Sequence, residues 1–231
     1  LSLDYFFVLN SVYKKVISNF IKGHYIEIGS IFNNAYTLNK KKNKLKGISF
    51  ISQKKYSRPF KPEEIELLKI LIKFCKLKKI KINFIAKMGL QHSSQLKNFK
   101  KIENLKIYYQ TTIKNSYRLI NKSEMVVFLS STLGYEAFAK GIKSVCIPII
   151  SKKVVKNTFK PITFGYPGKF NKSGFFWTGL NNPKKIFKVL DNVYRCNLKK
   201  WNNVYKNYFP RIMNHDPGNK KFKKIITILL R

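Results

Sequence analysis

Ser130, Ser131 and Thr132 place three hydroxyls in a row, and Glu136 follows four residues after the last of them. Hydroxyl residues at a helix start lie beside unpaired backbone amides, and that end of a helix attracts anions such as phosphate. With the helix read from about Gly134 to Lys140, Glu136 falls in its first turn. A carboxylate there can accept hydrogen bonds from a sugar or ribose hydroxyl. The chemistry indicated is the holding of a phosphorylated sugar or a nucleotide. The same residues equally suit a bare helix, because a Ser or Thr cap and a first-turn Glu stabilise it without any ligand.

The flanking elements must place this turn at one edge of a sheet. Met125–Leu129 before it and Ser144–Ile149 after it are apolar runs without alternation, the pattern of strands covered on both faces. Together they predict a strand, helix, strand unit with Gly141 at the second turn. Gly47 to Gln53 reads as an earlier strand of the same sheet, followed by a polar loop from Gln53 to Pro59. Ligands of open α/β sheets sit beyond the carboxyl ends of strands, so this loop is a candidate wall of the site. Gln53, Lys54, Lys55 and Arg58 could face a pyrophosphate from it. Pro62 to Leu77 is an amphipathic helix with Glu63 and Glu64 at its start, and Lys79–Ala86 and Leu105–Tyr109 are further strands.

Upstream, Leu3–Leu9 predicts a strand, Ser11 to Ile21 a helix and Tyr25–Ile28 a short strand that ends at Gly29-Ser30. Asn39 to Lys46 is a basic, polar connector and the best domain boundary. Past Ile149 a long loop is punctuated by Gly165, Pro167, Gly168 and Gly174. Pro183 to Tyr194 and Lys221 to Leu230 then read as helices. The fold class expected is α/β: a Rossmann-like parallel sheet with helices on both faces, preceded by one strand and helix of another domain. The expected division is 1–38, a linker at 39–46, the nucleotide-binding domain at 47–185 and C-terminal helices at 186–231 that pack back.

The chain has 231 residues, 44% of them hydrophobic, and a formal net charge of +37. The apolar content excludes disorder. A charge of this size normally points to nucleic acid or an anionic membrane surface. Only five of the 47 basic residues are Arg, however, and the lysines are scattered over the whole length. Specific nucleic-acid readers favour Arg for bidentate contacts, so no specific nucleic-acid partner is expected. Peripheral contact with anionic lipid stays open, since Lys40-Lys41-Lys42 would contribute to it. Three widely spaced cysteines make neither a disulfide framework nor a metal site, and they suit a reducing, cytoplasmic setting. The ten acidic residues are thinly spread with no D-x-D pair, so no metal and no cofactor are expected.

The stretch STLGYEAFAKGIKSVCIP resembles the nucleotide-binding segment in the C-terminal domain of GT-B-fold glycosyltransferases. More narrowly, the chain is similar to bacterial surface-carbohydrate biosynthesis proteins, those of capsule and lipopolysaccharide, with the pattern S-T-x-G-x-E-A. Gly29–Asn34, Ser131–Ala137, Phe175–Thr178 and Asp216–Asn219 carry that likeness in order along the chain. It implies transfer of a sugar from a nucleotide donor to a glycan or lipid-linked acceptor hydroxyl without a metal. The leaving phosphate would be met by backbone around Ser131, Leu133 and Gly134, by the Ser130, Ser131 and Thr132 hydroxyls, and by Lys54, Lys55 or Arg58. Glu136 would bind ribose or the donor sugar. Thr111, Thr112 and Tyr117 would lie near the base, although Tyr117 suits a core position at least as well. The resemblance also implies that most of an N-terminal domain, with its general base, lies outside this sequence and that the chain alone is inactive. An epimerase of nucleotide sugars, a non-catalytic assembly module and a basic surface binder are the alternatives.

Overall fold

The computed structural model describes residues 2–36, 45–53, 62–87, 99–148, 164–165 and 168–230. Five parallel strands form the main sheet: β3 (Leu45–Ile51), β4 (Ile82–Ala86), β5 (Leu105–Tyr109), β6 (Ser123–Phe128) and β7 (Lys143–Cys146), in the order β5-β4-β3-β6-β7. A smaller parallel pair, β1 (Ser2–Val8) and β2 (Lys22–Glu27), precedes it, joined by α1 (Ser11–Ile17). The segment α2 (Ile31–Ala35) leads out of that pair. The helices α3 (Pro62–Lys78), α4 (Ile113–Lys122), α5 (Thr132–Ala139), α6 (Pro183–Arg195), α7 (Leu198–Ile212) and α8 (Lys220–Leu229) and a 3-10 turn at Pro217–Asn219 complete the described elements.

The apolar runs form strands because helices cover both faces. Ile48, Phe50, Ile51, Phe84, Ile85, Val126 and Val127 are all buried in one continuous core. Strand starts and helix caps follow local chemistry. Pro62 opens α3 with Glu63 and Glu64 in its first turn. Thr112, Asn182 and Asn197 cap α4, α6 and α7 by accepting from Asn115, Lys185 and Lys200 amides.

Chain order fixes where the sheet opens. From β3 the chain runs outward through β4 to β5, then returns to β6 on the other side of β3 and continues to β7. Connections after β3 and β6 therefore depart in opposite directions. In open α/β sheets the crevice between two such carboxyl ends is where ligands bind. Here those ends carry Gln53 and Ser130.

Phe175–Thr178 extends the sheet past β7. Cys146 N–H donates to Phe176 C=O at 2.9 Å, Thr178 N–H donates to Cys146 C=O at 3.1 Å, and the Phe176 ring stacks on Phe138. The C-terminal segment returns to the first pair of strands. His215 bridges Gly29, Phe222 packs edge-on against Phe7, and Asp216 caps α8 by accepting from Lys221 and Phe222 amides. Gly29 has φ +75, and a Cβ there would lie 1.9 Å from the Asn214 carbonyl oxygen, so only glycine lets the two segments meet.

The expected fold class holds, and most elements lie within a few residues of their expected ranges. One boundary matters for chemistry. The helix after β6 starts at Thr132, not at Gly134. Much of the predicted loop beyond Ile149 falls outside the described residues, as do Lys40, Lys41 and Lys42.

Candidate functional site

The crevice between β3 and β6 is bridged by one side chain. In the orientation that satisfies its neighbours, the Gln53 carboxamide oxygen accepts from Ser131 N–H at 2.7 Å, Ser130 N–H at 2.8 Å and the Ser130 hydroxyl at 3.1 Å. Gln53 is itself held from below, because its backbone N–H donates to the Glu64 carboxylate at 3.1 Å. Glu64 thus reaches from α3 across to the end of β3, which spacing alone did not show. The expected residues Gln53, Ser130 and Ser131 are brought together by the fold.

Ser131 is the N-cap of α5, yet its side chain makes no capping hydrogen bond. Its carbonyl accepts from Gly134 and Tyr135 amides, so the Thr132 and Leu133 amides open α5 with no partner inside it. Thr132 is exposed and Leu133 half-buried at this end. A turn of oriented N–H groups and hydroxyls at a helix N-terminus can hold an oxyanion, with the helix dipole in support.

Gly134 does different work from that expected. A Cβ on it would sit 2.2 Å from the Phe128 ring, so its absence lets α5 lie directly on β6. It sets the height of the helix over the sheet, and its own amide donates to the Ser131 carbonyl at 2.9 Å.

Glu136 is the main correction. With the helix beginning at Thr132 it belongs to the second turn, and it is only 5% exposed. Its Oε1 accepts from the Ser30 hydroxyl at 2.6 Å, and the Tyr117 hydroxyl is its second partner. The carboxylate is therefore turned toward α2 rather than toward the open end of α5. Burial pushes its pKa up, against the opposing pull of Ser30, Tyr117 and Lys140. Lys140, one turn further along, donates to the Tyr36 carbonyl and to Asn121 Oδ1 at 3.1 Å. Burial lowers its pKa to about 8, partly offset by Glu136.

Tyr117 is likewise a core residue and not a neighbour of the crevice. It stacks on Tyr36 with ring centroids 4.9 Å apart, and burial raises its hydroxyl pKa. Thr112 is occupied as the cap of α4, and Thr111 accepts from Asn115 Nδ2 at 2.9 Å. Both are exposed beyond edge strand β5, three strands from β6 or about 14 Å at ordinary strand spacing. Lys54, Lys55 and Arg58 lie outside the described residues. In the sequence Ser30 and Asn33 stand only within the Gly29–Asn34 likeness and Glu64 only as a helix-start residue, none with a role at the site. Lys140 has one signal, its spacing of four from Glu136, which puts both on one helix face.

His215 adds a pH dependence. Burial and Lys140 lower its pKa from 6.5 to about 4, with Asp216 opposing. Between those values the unfolded chain takes up a proton that the folded chain does not, so stability falls as pH drops from 6.5 to about 4. Glu136, with its raised pKa, acts in the opposite sense. Thermal unfolding of wild type and His215→Gln across that window isolates the histidine: the variant is expected to lose less stability on acidification. Parallel curves would refute the assignment.

The profile of a family of O-antigen biosynthesis proteins matches residues 1–229. The chain belongs to that family. No curated protein is detectably similar to it in sequence. Among solved structures it is similar to the UDP-GlcNAc 2-epimerase of Methanocaldococcus jannaschii, solved with UDP-GlcNAc and UDP, at TM-score 0.60 and 10% identity. That match covers 97% of this chain and 61% of the epimerase. It is also similar to the wall teichoic acid polymerase TagF, solved with CDPG, at TM-score 0.54 and 14% identity over 99% of this chain and 58% of TagF. A TarM variant from S. aureus, solved with UDP, gives TM-score 0.51 at 15% identity, over 97% of this chain and 43% of TarM. The O-antigen protein thus has a Rossmann-like α/β fold with GT-B glycosyltransferases among its structural neighbours. It spans less than two thirds of each neighbour's length.

Proposed function

We propose that this O-antigen biosynthesis protein is the donor-binding part of a nucleotide-sugar-dependent glycosyltransferase of surface polysaccharide synthesis. One observation carries the reading: where β3 and β6 diverge, the Ser130 and Ser131 amides and the Ser130 hydroxyl converge on one oxygen of Gln53, at the N-terminus of α5. In this reading the diphosphate replaces the Gln53 oxygen on the turn, and its charge grows there as the sugar–phosphate bond breaks. The α5 amides, the three hydroxyls and Lys54 or Arg58 oppose that charge without a metal. The acceptor is a glycan or lipid-linked hydroxyl, and the protein works in the cytoplasm, in peripheral contact with anionic lipid. No described helix is long and apolar enough to cross a membrane.

Gln53→Glu tests it. The change keeps shape but sets a carboxylate beside the proposed phosphate position. Saturation-transfer NMR against UDP, CDP, CMP and GDP at two salt concentrations is expected to show one nucleotide bound at both, and lost in the variant. Binding of that nucleotide unchanged in Gln53→Glu would place it elsewhere. Binding only of an oligonucleotide, removed by salt, would leave the charge of the chain as its working feature.

The structural match to a UDP-GlcNAc epimerase, at TM-score 0.60, supports a second reading of nucleotide-sugar epimerisation. Incubation of the chain with UDP-GlcNAc, followed by NMR of the sugar protons, separates the two: inversion at a ring carbon without an acceptor belongs to the epimerase.

A further inference from the structure

The short segment α2 has an unusual attachment. Its buried side chains are Asn33 and Asn34, both fully buried, while Ile31 and Phe32 face outward. Among the described contacts it is held by directed hydrogen bonds in place of an apolar face. From one side come α5 and its partners: Ser30 Oγ donates to Glu136 Oε1 at 2.6 Å and Asn33 Nδ2 donates to the Glu136 carbonyl at 3.2 Å. Lys140 closes on the Tyr36 carbonyl just past the end of α2. From the other side come the C-terminal residues: Asp216 N–H donates to Asn34 Oδ1 at 2.9 Å, and Asn219 Nδ2 donates to the Ile31 carbonyl at 3.0 Å.

Glu136 and Lys140 are four residues apart and grip α2 from one face of α5. Glu136 is also only three residues past Leu133, about 4.5 Å along the helix axis from the amides that would hold an anion. A displacement of the α5 N-terminus therefore reaches α2 within one helical turn. Hydrogen bonds suit this role because they fix direction, whereas apolar contact allows sliding.

We propose that Glu136 is a positioning residue that joins α5 to α2 through Ser30, so that the two segments move as one body. The consequence for ligand affinity rests on the donor-site reading above; the joint itself does not. An anion seated on Thr132 and Leu133 then sets the orientation of α2, and with it the β1–β2 pair from which α2 emerges. Glu136 acts on the donor through the placement of α5 and makes no contact with it.

Amide hydrogen exchange of the chain without ligand tests the joint, and titration with UDP and CDP tests its effect on binding. The variants are Ser30→Ala, Ser30→Thr, Glu136→Ala and the Ser30→Ala/Glu136→Ala pair. Ser30→Ala is expected to speed exchange in residues 132–139 as well as in 31–36, Glu136→Ala to do the same in reverse, and Ser30→Thr to restore both. Each single Ala variant is expected to weaken the nucleotide that binds by about 5-fold or more, and the pair no further than either alone. Exchange that changes only in the segment carrying the substitution overturns the joint, whatever the nucleotides do. Glu136→Ala abolishing binding while Ser30→Ala leaves it unchanged makes Glu136 a direct ligand contact and overturns the positioning role. Absence of UDP and CDP binding to wild type, with reciprocal exchange intact, removes the donor-site reading for these nucleotides and keeps the joint.

Discussion

Gly134→Ala is expected to destabilise the chain at or above the upper end of the ~1–3 kcal/mol typical of an overpacked core. The added methyl would lie 2.2 to 2.4 Å from Cγ, Cδ1 and Cδ2 of Phe128. These are atoms at the root and sides of the ring, so no rotamer change clears them cheaply. Phe128 is buried at the end of β6, pairs in register with Cys146, and meets the Tyr135 ring edge-on at 5.1 Å. The relief available is to lift α5 off the sheet. That shift carries the Ser131, Thr132 and Leu133 amides away from Gln53, and misplacement of about 1 Å can cost a site as much as 100-fold. Urea denaturation and nucleotide titration of Gly134→Ala should therefore fall together. Gly134→Ala/Phe128→Ala, which removes the Cγ, Cδ1 and Cδ2 opposite the methyl, should lose less than the sum of the two single variants. An unchanged denaturation midpoint in Gly134→Ala would show that α5 does not rest on Phe128 as described.

The legible parts of this protein are those written in neighbouring residues. The runs around Ile48–Ile51 and Met125–Leu129 declare buried strands because, Ser49 apart, every residue is apolar. Pro62 and two glutamates declare the start of α3 for equally local reasons. Gln53, Ser130 and Ser131 could be assembled because strand ends in an open sheet have a general meaning. Glu136 could not be placed the same way. A two-residue error at the helix start moves it from the first turn into the second, about 3 Å along the axis and out of the cap. Its true partner, Ser30, is 106 residues away, and no local pattern records that pairing. Tyr117 was open between a base-proximal and a core role, and its stacking on Tyr36 decides for the core. The helix α7 escaped definition because its contacts come from scattered aromatic residues and it contains Pro210, a residue that ordinarily ends a helix.

Trp201→Ala is expected to cost about 3–5 kcal/mol, the range for emptying a large buried aromatic site. Trp201 is fully buried and meets Phe138 and Phe176 edge-on at 5.9 and 5.8 Å, and its indole N–H donates to the Gly141 carbonyl at 2.7 Å. Trp201→Phe separates the two contributions. It keeps most of the packing but strands the Gly141 carbonyl, which should cost about 1–3 kcal/mol for the unmet acceptor. Equilibrium unfolding in urea measures both, and a loss below 1 kcal/mol in Trp201→Ala would show that α7 is not a fixed part of the core. The position of this anchor bears on the site. Tyr205 also donates to the Ala139 carbonyl, at 2.9 Å, so α7 supplies donors to carbonyls at the C-terminal end of α5. At the other end the turn amides are met by a Gln53 oxygen that can swing away. One end of α5 is thus tied by buried donors from a packed helix, and the other keeps donors of its own for an anion.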